Sequence, residues 1–246
     1  MSEKDIPPRS RLQPEQLGKG AMLSVDKPKG WTSFDVVNKI RYRLKSILDV
    51  KKIKVGHAGT LDPMATGLLI ICTGSWTKKI DQYQGMPKEY TGTITLGAST
   101  PSYDQETEID AEYPYEHITK KMLKKVKARF TGEIDQVPPV FSAIKVDGQP
   151  LYKKARKGIP VKVKSRKVEI YSLEWTRIEL PEVDFLVRCS KGTYIRSLAH
   201  DVGQALNSGA YLSKLVRTRI GDYALENAWD LEELIDELEA LIPEKP

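Results

Sequence analysis

The sequence of 246 residues contains only two cysteines and three histidines, and both numbers limit the chemistry that the chain can support. Cys72 and Cys189 lie in the apolar stretches LLIICTG and FLVRCS, which indicates buried thiols rather than a disulfide framework. A structural zinc site needs clustered ligands, and neither the cysteines nor the histidines have that spacing. We therefore expect no metal.

Long apolar runs and nucleotide-binding motifs are also missing. No stretch approaches the roughly 18 apolar residues of a membrane-spanning helix, and the N-terminal MSEKDIPPRSRLQPEQ has no apolar core of a signal peptide. The segment VDKPKGWTS superficially suggests a phosphate-binding loop, but it lacks the G-x-x-x-x-G-K-[ST] order. We expect a cytoplasmic protein that enters no membrane and uses no small-molecule cofactor.

Positive charge dominates most of the chain, although the net charge of +6 conceals it. Residues 222–246 contain nine acidic residues and one basic residue, which leaves 38 basic and 24 acidic residues, a net charge of +14, in residues 1–221. Two clusters are dense: Lys39 to Lys54 has seven basic residues, and Lys145 to Lys167 has nine. One such run is equally well explained as a solvated face, but two favour a nucleic-acid partner.

The hydrophobic pattern changes its period several times along the chain. Residues 1–21 are polar and contain prolines, which predicts a mobile arm, whereas MLSVDKP, LLIICTG and VDFLVRC predict strands. Thr32 or Ser33 can cap a helix whose apolar residues recur at helical spacing, namely Phe34, Val37, Ile40, Leu44 and Leu48. A second amphipathic helix is predicted over TYIRSLAHDVGQALN, and an acidic one within residues 222–246.

Strands and helices alternate without the regular rhythm of a doubly wound fold. We therefore predict an α+β fold, with a large mixed or antiparallel sheet flanked by helices, over residues 22–221. The basic segment at about 138–167 is bounded by prolines and predicts an inserted arm that stands away from the sheet.

The segment VGHAGTLDPMATG contains three glycines and an Asp-Pro step, so it predicts a structured loop rather than a regular element. It places His57 and Asp62 where binding and catalytic residues are often found. On local sequence alone, Asp62 before Pro63 is an ordinary turn, and His57 is an ordinary surface or buried histidine.

Five segments change that interpretation, because together and in this order they resemble the TruB family of pseudouridine synthases. They are VDKPKGWTS, GHAGTLDPMATGLL, KEYTGTITLG, QVPPVFSAIKVDGQPLYKKARKG and CSKGTYIRSL, within a resemblance that runs from about Met22 to Gly221. The resemblance implies the pseudouridine synthase fold and an enzyme that isomerises uridine 55 in the T-loop of tRNA to pseudouridine. It also implies a bacterial type without the C-terminal RNA-binding domain that many members carry, because only about 25 residues, in a mostly acidic segment, follow Gly221.

The resemblance also implies roles for individual residues. Asp62 matches the catalytic aspartate, Tyr90 the aromatic residue that packs on the target base, and Arg196 the arginine that pairs with the aspartate. His57 matches a histidine that holds the rearranged T-loop. The remaining matches are Lys27 and Pro28, which support the active-site loop, and Tyr194 and Leu215, which line the site. Ala58 departs from the more common threonine.

The reaction itself fits these residue types, since it requires one carboxylate and neither redox chemistry nor phosphate transfer. The carboxylate either attacks the nucleoside covalently or abstracts a sugar proton, and the sequence leaves both routes open. The target uridine must be flipped out of the RNA. For the RNA backbone we expect contacts from the basic insertion, through Lys145, Tyr152, Lys153, Lys154 and Arg156.

Two other functions are compatible with the same segments. One is a protein that binds or folds RNA without catalysis, against which the intact Asp62, Tyr90 and Arg196 argue. The other is action on a different RNA, as in the relatives of guide-RNA particles, whose characteristic added domain we do not find. We expect a monomer that binds the T-arm stem-loop of tRNA.

Overall fold

A computed structural model describes residues 12–142, 145–146, 148–155, 157, 161 and 163–242. None of the helices in these ranges is both long and apolar enough to cross a membrane. The helices are α1 (Pro14–Lys19), α2 (Ser33–Ile47), α3 (Ile80–Gly85), α4 (Lys120–Arg129), α5 (Leu151–Ala155), α6 (Ile195–Ala205) and α7 (Leu231–Glu239), with short 3-10 turns at Gly74–Lys79 and Leu225–Asn227.

The fold is α+β with a large mixed sheet, as predicted. The strands are β1 (Met22–Lys27), β2 (Val55–His57), β3 (Thr66–Thr73), β4 (Lys88–Leu96), β5 (Ala98–Ser99), β6 (Ala111–Glu112), β7 (Gly132–Gln136), β8 (Lys145–Val146), β9 (Gln149–Pro150), β10 (Arg166–Glu179), β11 (Glu182–Cys189), β12 (Ala210–Ile220), β13 (Tyr223–Ala224) and β14 (Trp229–Asp230). The chain divides into two compact units, Met1–Glu89 with Val216–Pro246, and Tyr90–Leu215.

The first unit is organised around β3, which is buried on both faces. Its neighbours are β1 and β2, both antiparallel to it, and the end of β12, which is parallel to it. Leu69 and Ile71 pack with α2 and α7, while Leu68, Ile70 and Cys72 belong to a second cluster with Tyr83 and Tyr223. Two buried faces explain why this strand is apolar without alternation.

Helix α2 begins with a capping box between Thr32 and Asp35. The Thr32 hydroxyl accepts the Asp35 amide at 3.1 Å, and the Asp35 carboxylate accepts the Thr32 amide at 2.9 Å. The buried face consists of Val36, Val37, Ile40, Leu44 and Ile47. The expected place of Phe34 on this face is wrong: Phe34 lies in the first turn, beside the stripe, and 59% of its surface is exposed.

The termini of the first unit pack onto this core. Of the arm predicted over residues 1–21, residues 1–11 lie outside the described residues, whereas Pro14–Lys19 form α1 and Leu17 is buried in the core. The acidic helix predicted near the C-terminus is α7, whose apolar residues Leu234 and Leu238 pack in the same cluster as α2. Glu239 forms an ion pair with Arg43 of α2.

The second unit contains the strand order β12, β4, β11, β10, β7. In it β10 pairs antiparallel with β11, and α4 packs against β10, where the Trp175 indole donates to the Leu123 carbonyl at 2.9 Å. Strands β7 and β10 pair antiparallel, and the chain segment that connects them contains the predicted basic insertion. The described part of this connection contains β8, β9 and α5. Cys72 and Cys189 are buried thiols outside any disulfide, as predicted.

Candidate active-site loop and arginine cluster

The loop that carries Asp62 joins two strands that pair with each other. It follows β2 and ends where β3 begins, and the Ala58 amide donates to the Ile70 carbonyl at 2.8 Å. The Ala65 amide donates to the Asp62 carbonyl at 3.1 Å, which closes a tight turn. Leu61 and Ala65 are buried, whereas Asp62 is partly exposed. The loop therefore holds the partly exposed Asp62 between two buried residues.

Ser33 is the residue that fixes this loop to α2. Its hydroxyl accepts the Leu61 amide at 2.8 Å and donates to the Leu61 carbonyl at 3.1 Å, and both residues are buried. On the other side of Asp62, the Gly30 amide donates a hydrogen bond to the Pro63 carbonyl at 2.8 Å. The sequence indicated Thr32 or Ser33 only as a helix cap; Thr32 is the cap, and the second role of Ser33 has no local signal.

Arg217 supports the same loop from β12 and was missed by the sequence reasoning. Its side chain is 1% exposed, and it donates to the carbonyls of Leu68 at 2.7 Å and Gly59 at 3.1 Å. Gly67 allows β3 to lie close to β12, because a Cβ at position 67 would be only 2.4 Å from the Arg217 carbonyl oxygen. The alternation of the strand could have predicted that Arg217 is buried, because it lies two residues after Leu215 and therefore on the same, inward face.

Lys27 is a second buried cation in this unit. Its side chain is fully buried, and its ammonium donates to the carbonyls of Pro28 at 2.9 Å and Trp31 at 2.7 Å. Burial lowers the pKa of Lys27 from 10.5 to about 8; attraction to Asp62 opposes that shift, and repulsion from Arg217 adds to it. The interaction with Asp62 is reciprocal, so the lysine favours the ionised carboxylate.

His57 ends β2, opposite Ile71 of β3. Burial, and then the nearby charge of Arg217, lower the pKa of His57 below 6.5, while a hydrogen bond with the Gly59 backbone opposes the shift. The imidazole is therefore neutral at pH 7, and it can act as a hydrogen-bonding group rather than as a cation.

In the second unit, Arg196 is held by a buried cluster. Its Nε lies 3.5 Å from Oδ2 of Asp104, and its guanidinium donates to the carbonyls of Ser102 at 3.2 Å and Phe141 at 2.9 Å. Arg196 and Asp104 are 3% and 0% exposed. Asp104 is fixed in turn by the Ser102 hydroxyl at 2.6 Å and the Glu106 amide at 2.9 Å. Asp104 was missed because TPSYDQET appears to be an ordinary turn.

The other predicted residues of the second unit lie on its strands and at the start of α6. Tyr90 in β4 and Leu215 in β12 are 8% and 7% exposed. Tyr194 is the N-cap of α6; its backbone is held on both sides by the amide of Gln136, at 2.8 and 3.0 Å, and the Arg166 guanidinium lies 4.6 Å from its ring centre.

The predicted pairing of Arg196 with Asp62 stays a prediction, as do the roles of Lys27, His57, Tyr90, Tyr194 and Leu215. Among the predicted RNA-backbone contacts, Lys145 lies in β8, and Tyr152, Lys153 and Lys154 lie in α5. Arg156 lies outside the described residues. Within the described ranges, no three His, Cys, Asp or Glu side chains form a group that could hold a metal ion.

Comparison with known sequences assigns two adjoining segments of the chain. Residues 45–195 match the family model for the TruB family pseudouridylate synthase (N terminal domain), and residues 196–242 match the model for the tRNA pseudouridylate synthase B C-terminal domain. The tRNA pseudouridine synthase B of Flavobacterium johnsoniae is 57% identical over 221 residues, which are 89% of this chain and 96% of the relative. That of Clostridium tetani is 45% identical over 88% of this chain and 73% of the relative.

Solved structures share the fold. A chain in the crystal structure of a Cbf5-Nop10-Gar1 complex aligns with 96% of this chain at a TM-score of 0.66 and 30% identity. A chain in the structure of an H/ACA RNP bound to a substrate RNA containing 2′-deoxyuridine aligns with 96% at a TM-score of 0.65 and 29% identity. The present chain spans 60% and 59% of the lengths of those two chains.

Proposed function

Because the chain belongs to the TruB family of pseudouridylate synthases, we propose that it isomerises uridine 55 in the T-loop of tRNA to pseudouridine. The family assignment makes it an RNA-modifying isomerase. Support for tRNA as the substrate comes from relatives that carry the name tRNA pseudouridine synthase B at 45–57% identity. Support for RNA in general comes from the net charge of +14 in residues 1–221.

The observation that carries the proposal is the presentation of Asp62. The reaction breaks the bond between C1′ and N1, turns the uracil, joins C1′ to C5 and releases the proton from C5. A single ionised carboxylate can start it, either by attack on C1′ or by removal of a sugar proton. Asp62 is partly exposed on a loop whose backbone is fixed by Ser33 and Arg217, and the charge of Lys27 favours its ionised form.

The other predicted residues complete the proposed site. Arg196 pairs with the ionised Asp62, Tyr90 packs on the uracil near C5, and Tyr194 and Leu215 line the pocket. The neutral His57 donates or accepts a hydrogen bond to the T-loop. A guanidinium that is already fixed by Asp104 and two carbonyls needs little reorganisation when the substrate binds, which is how a preorganised charge contributes to catalysis.

Access to the uridine requires base flipping, which costs a few kcal/mol. In our proposal the basic insertion at about 138–167 compensates by binding the RNA backbone, so recognition depends on the shape of the T-arm and its charge. We propose that the enzyme acts in the cytoplasm as a monomer and needs no cofactor.

The experiment uses a T-arm stem-loop with tritium at C5 of the target uridine. The chain, in a buffer with a chelator and without nucleotides, should release tritium to water, with one tritium for each pseudouridine found by nuclease digestion and chromatography. A stem-loop with the label at a uridine of the stem is the matched control and should release none. Tight binding without release would contradict the enzymatic proposal, and equal release from both positions would contradict its T-loop specificity.

A further inference from the structure

The solvent face of α2 carries two exposed aromatic rings. Phe34 and Tyr42 have 59% and 65% of their surface exposed, the largest values among the exposed large hydrophobic residues of the described chain. They are eight residues apart, about 2.2 helical turns, so the two positions are roughly 80° apart around the helix and both are on its solvent side. A single exposed ring needs no explanation, so the two rings point to a binding surface only together with the charged groups beside them.

Cations lie beside both rings. The Arg41 guanidinium is 5.9 Å from the centre of the Phe34 ring, and the Arg43 guanidinium is 5.7 Å from that of Tyr42. Arg41 is oriented by neutral groups, since it donates to the Asn38 side-chain oxygen at 2.7 Å and to the Val55 carbonyl at 2.9 Å. Lys45, one turn further along, is exposed. We call Phe34, Asn38, Arg41, Tyr42 and Lys45 the α2 face.

The segment that carries most of the α2 face is strongly basic, and of its cations Arg43 is paired with Glu239 of α7. The segment from Lys39 to Lys54 contains seven basic residues and one acidic residue, and Lys51, Lys52 and Lys54 after the helix are exposed. Alternating cations and aromatic rings fit a nucleic-acid strand, whose phosphates need the cations and whose bases stack on the rings. A protein partner would need a larger continuous apolar area than two separated rings provide.

The α2 face begins next to the loop that carries Asp62. Ser33, the neighbour of Phe34, holds Leu61, and Arg41 holds the Val55 carbonyl at the start of β2, two residues before His57. From Phe34 to Lys45 the face extends along the helix for about 16 Å, at roughly 1.5 Å for each residue. An RNA strand that reaches Asp62 can therefore continue along this helix.

We propose that the α2 face binds the tRNA strand that adjoins the target uridine, with Phe34 and Tyr42 stacking on bases or riboses and Arg41 and Lys45 contacting phosphates. This inference rests on the proposed function. It adds a second RNA-binding surface to the basic insertion, on the unit that carries the aspartate. From the sequence, this region was expected to be basic, with Phe34 in the buried stripe and no role for Tyr42.

The experiment measures the Kd of a transcribed, unmodified tRNA for variants of the full chain by filter binding. Phe34→Ala with Tyr42→Ala should raise the Kd at least about 30-fold, which is the lower limit expected when two stacked bases lose their aromatic partners. Tyr42→Phe keeps the ring and should stay near the wild type. Lys45→Gln should reduce the slope of log Kd against log salt by about one. Tyr171→Ala, at a tyrosine of β10 that is 43% exposed, is the matched control and should not change the Kd.

Binding and tritium release are measured on the same samples, so a failure of the α2 face can be distinguished from a failure of the proposed function. An unchanged Kd for the double variant, with an unchanged melting temperature, overturns the α2 face and leaves the proposed function intact if the wild type releases tritium. A wild type that binds without release contradicts the proposed function, while the Kd values still test the face. A wild-type dimer that the double variant abolishes, with no change in Kd, would assign the face to self-association and overturn the proposal.

Discussion

The Asp62 loop and the Arg196 cluster both contain cations that are removed from water, but they stabilise them differently. In the first unit, Lys27 and Arg217 each donate to two backbone carbonyls. In the second unit, Arg196 has two carbonyls and also the carboxylate of Asp104, which is 0% exposed. Carbonyls solvate a cation without neutralising it, whereas a carboxylate neutralises much of its charge.

The difference has a functional consequence. Lys27 and Arg217 leave positive potential at the loop, and Lys27 and Asp62 attract each other. This potential favours an ionised carboxylate on a loop that is otherwise partly exposed. The Arg196 cluster instead has its geometry fixed by a buried ion pair, so removal of Asp104 should take away the carboxylate that holds the buried guanidinium in place. The first region therefore stabilises the charged form of Asp62, whereas the second fixes the position of the Arg196 guanidinium.

The largest expected effect separates catalysis from folding in the first region. Asp62→Asn keeps the size of the side chain and removes its charge, so single-turnover tritium release should fall by about 10,000-fold or more, as for other single catalytic groups. The melting temperature should stay near that of the wild type, because Asp62 is partly exposed. Asp49→Asn, at a residue with φ of 48° that asparagine tolerates, is the control. Release within tenfold of the wild type would remove Asp62 from the catalytic role.

Much of the architecture behind these two regions was predictable from the sequence. The run LLIICTG predicted β3, the spacing of Val37, Ile40 and Leu44 predicted α2, and the mixed pattern predicted the α+β class; all three are confirmed. Such predictions succeed because periodicity is a local property of the chain. The family was predictable as well, since five motifs occur in the right order, and the matches confirm it.

The supports of the two regions were not predictable, for a physical reason. Arg217 bonds a carbonyl 158 positions earlier in the chain, and Ser33 bonds Leu61, 28 positions later. Neither contact has a local signature, because any serine near a helix start also fits a cap. Asp104 and Arg196 are 92 residues apart and meet only in the folded chain. Phe34 was misassigned because position 34 satisfies the helical spacing while the neighbouring residues Val36 and Val37 define the buried stripe.

The next largest effect is expected on the free energy of unfolding of the protein when the ion pair of the Arg196 cluster is broken. Asp104→Ala breaks the buried ion pair between Asp104 and Arg196 and should reduce the free energy of unfolding by about 3–5 kcal/mol in urea titrations. Glu182→Ala is the matched control in the same unit, because Glu182 is half exposed and pairs with Arg177 on the surface; its effect should be below about 1 kcal/mol. If both changes have similar effects, the ion pair does not distinguish the two regions.

The third prediction tests Lys27 by the pH dependence of stability. Its pKa of about 8 in the folded chain lies below the ordinary value of 10.5, so between these values the unfolded chain binds more protons. The free energy of unfolding therefore rises with pH in this window, by no more than about 1 kcal/mol per pH unit from this group. Lys27→Met should remove that rise, whereas Lys45→Met, at an exposed lysine of α2, should keep it. Parallel pH profiles for wild type and Lys27→Met would show that carbonyls stabilise the ammonium as well as water does.

The smallest effect is expected for the neutral anchor of the Asp62 loop. Ser33→Ala leaves the buried amide and carbonyl of Leu61 without their partner, which should cost about 1 kcal/mol of stability. Because Asp62 follows Leu61 directly, a looser anchor should lower kcat several-fold with little change in KM, since RNA binding does not depend on the position of one carboxylate. Ser46→Ala removes a serine from the exposed side of the same helix and is the control for helix propensity. A loss of stability without a loss of kcat would mean that the loop is held well enough by Arg217 and Gly30 alone, and the comparison would then rest on the buried cations rather than on Ser33.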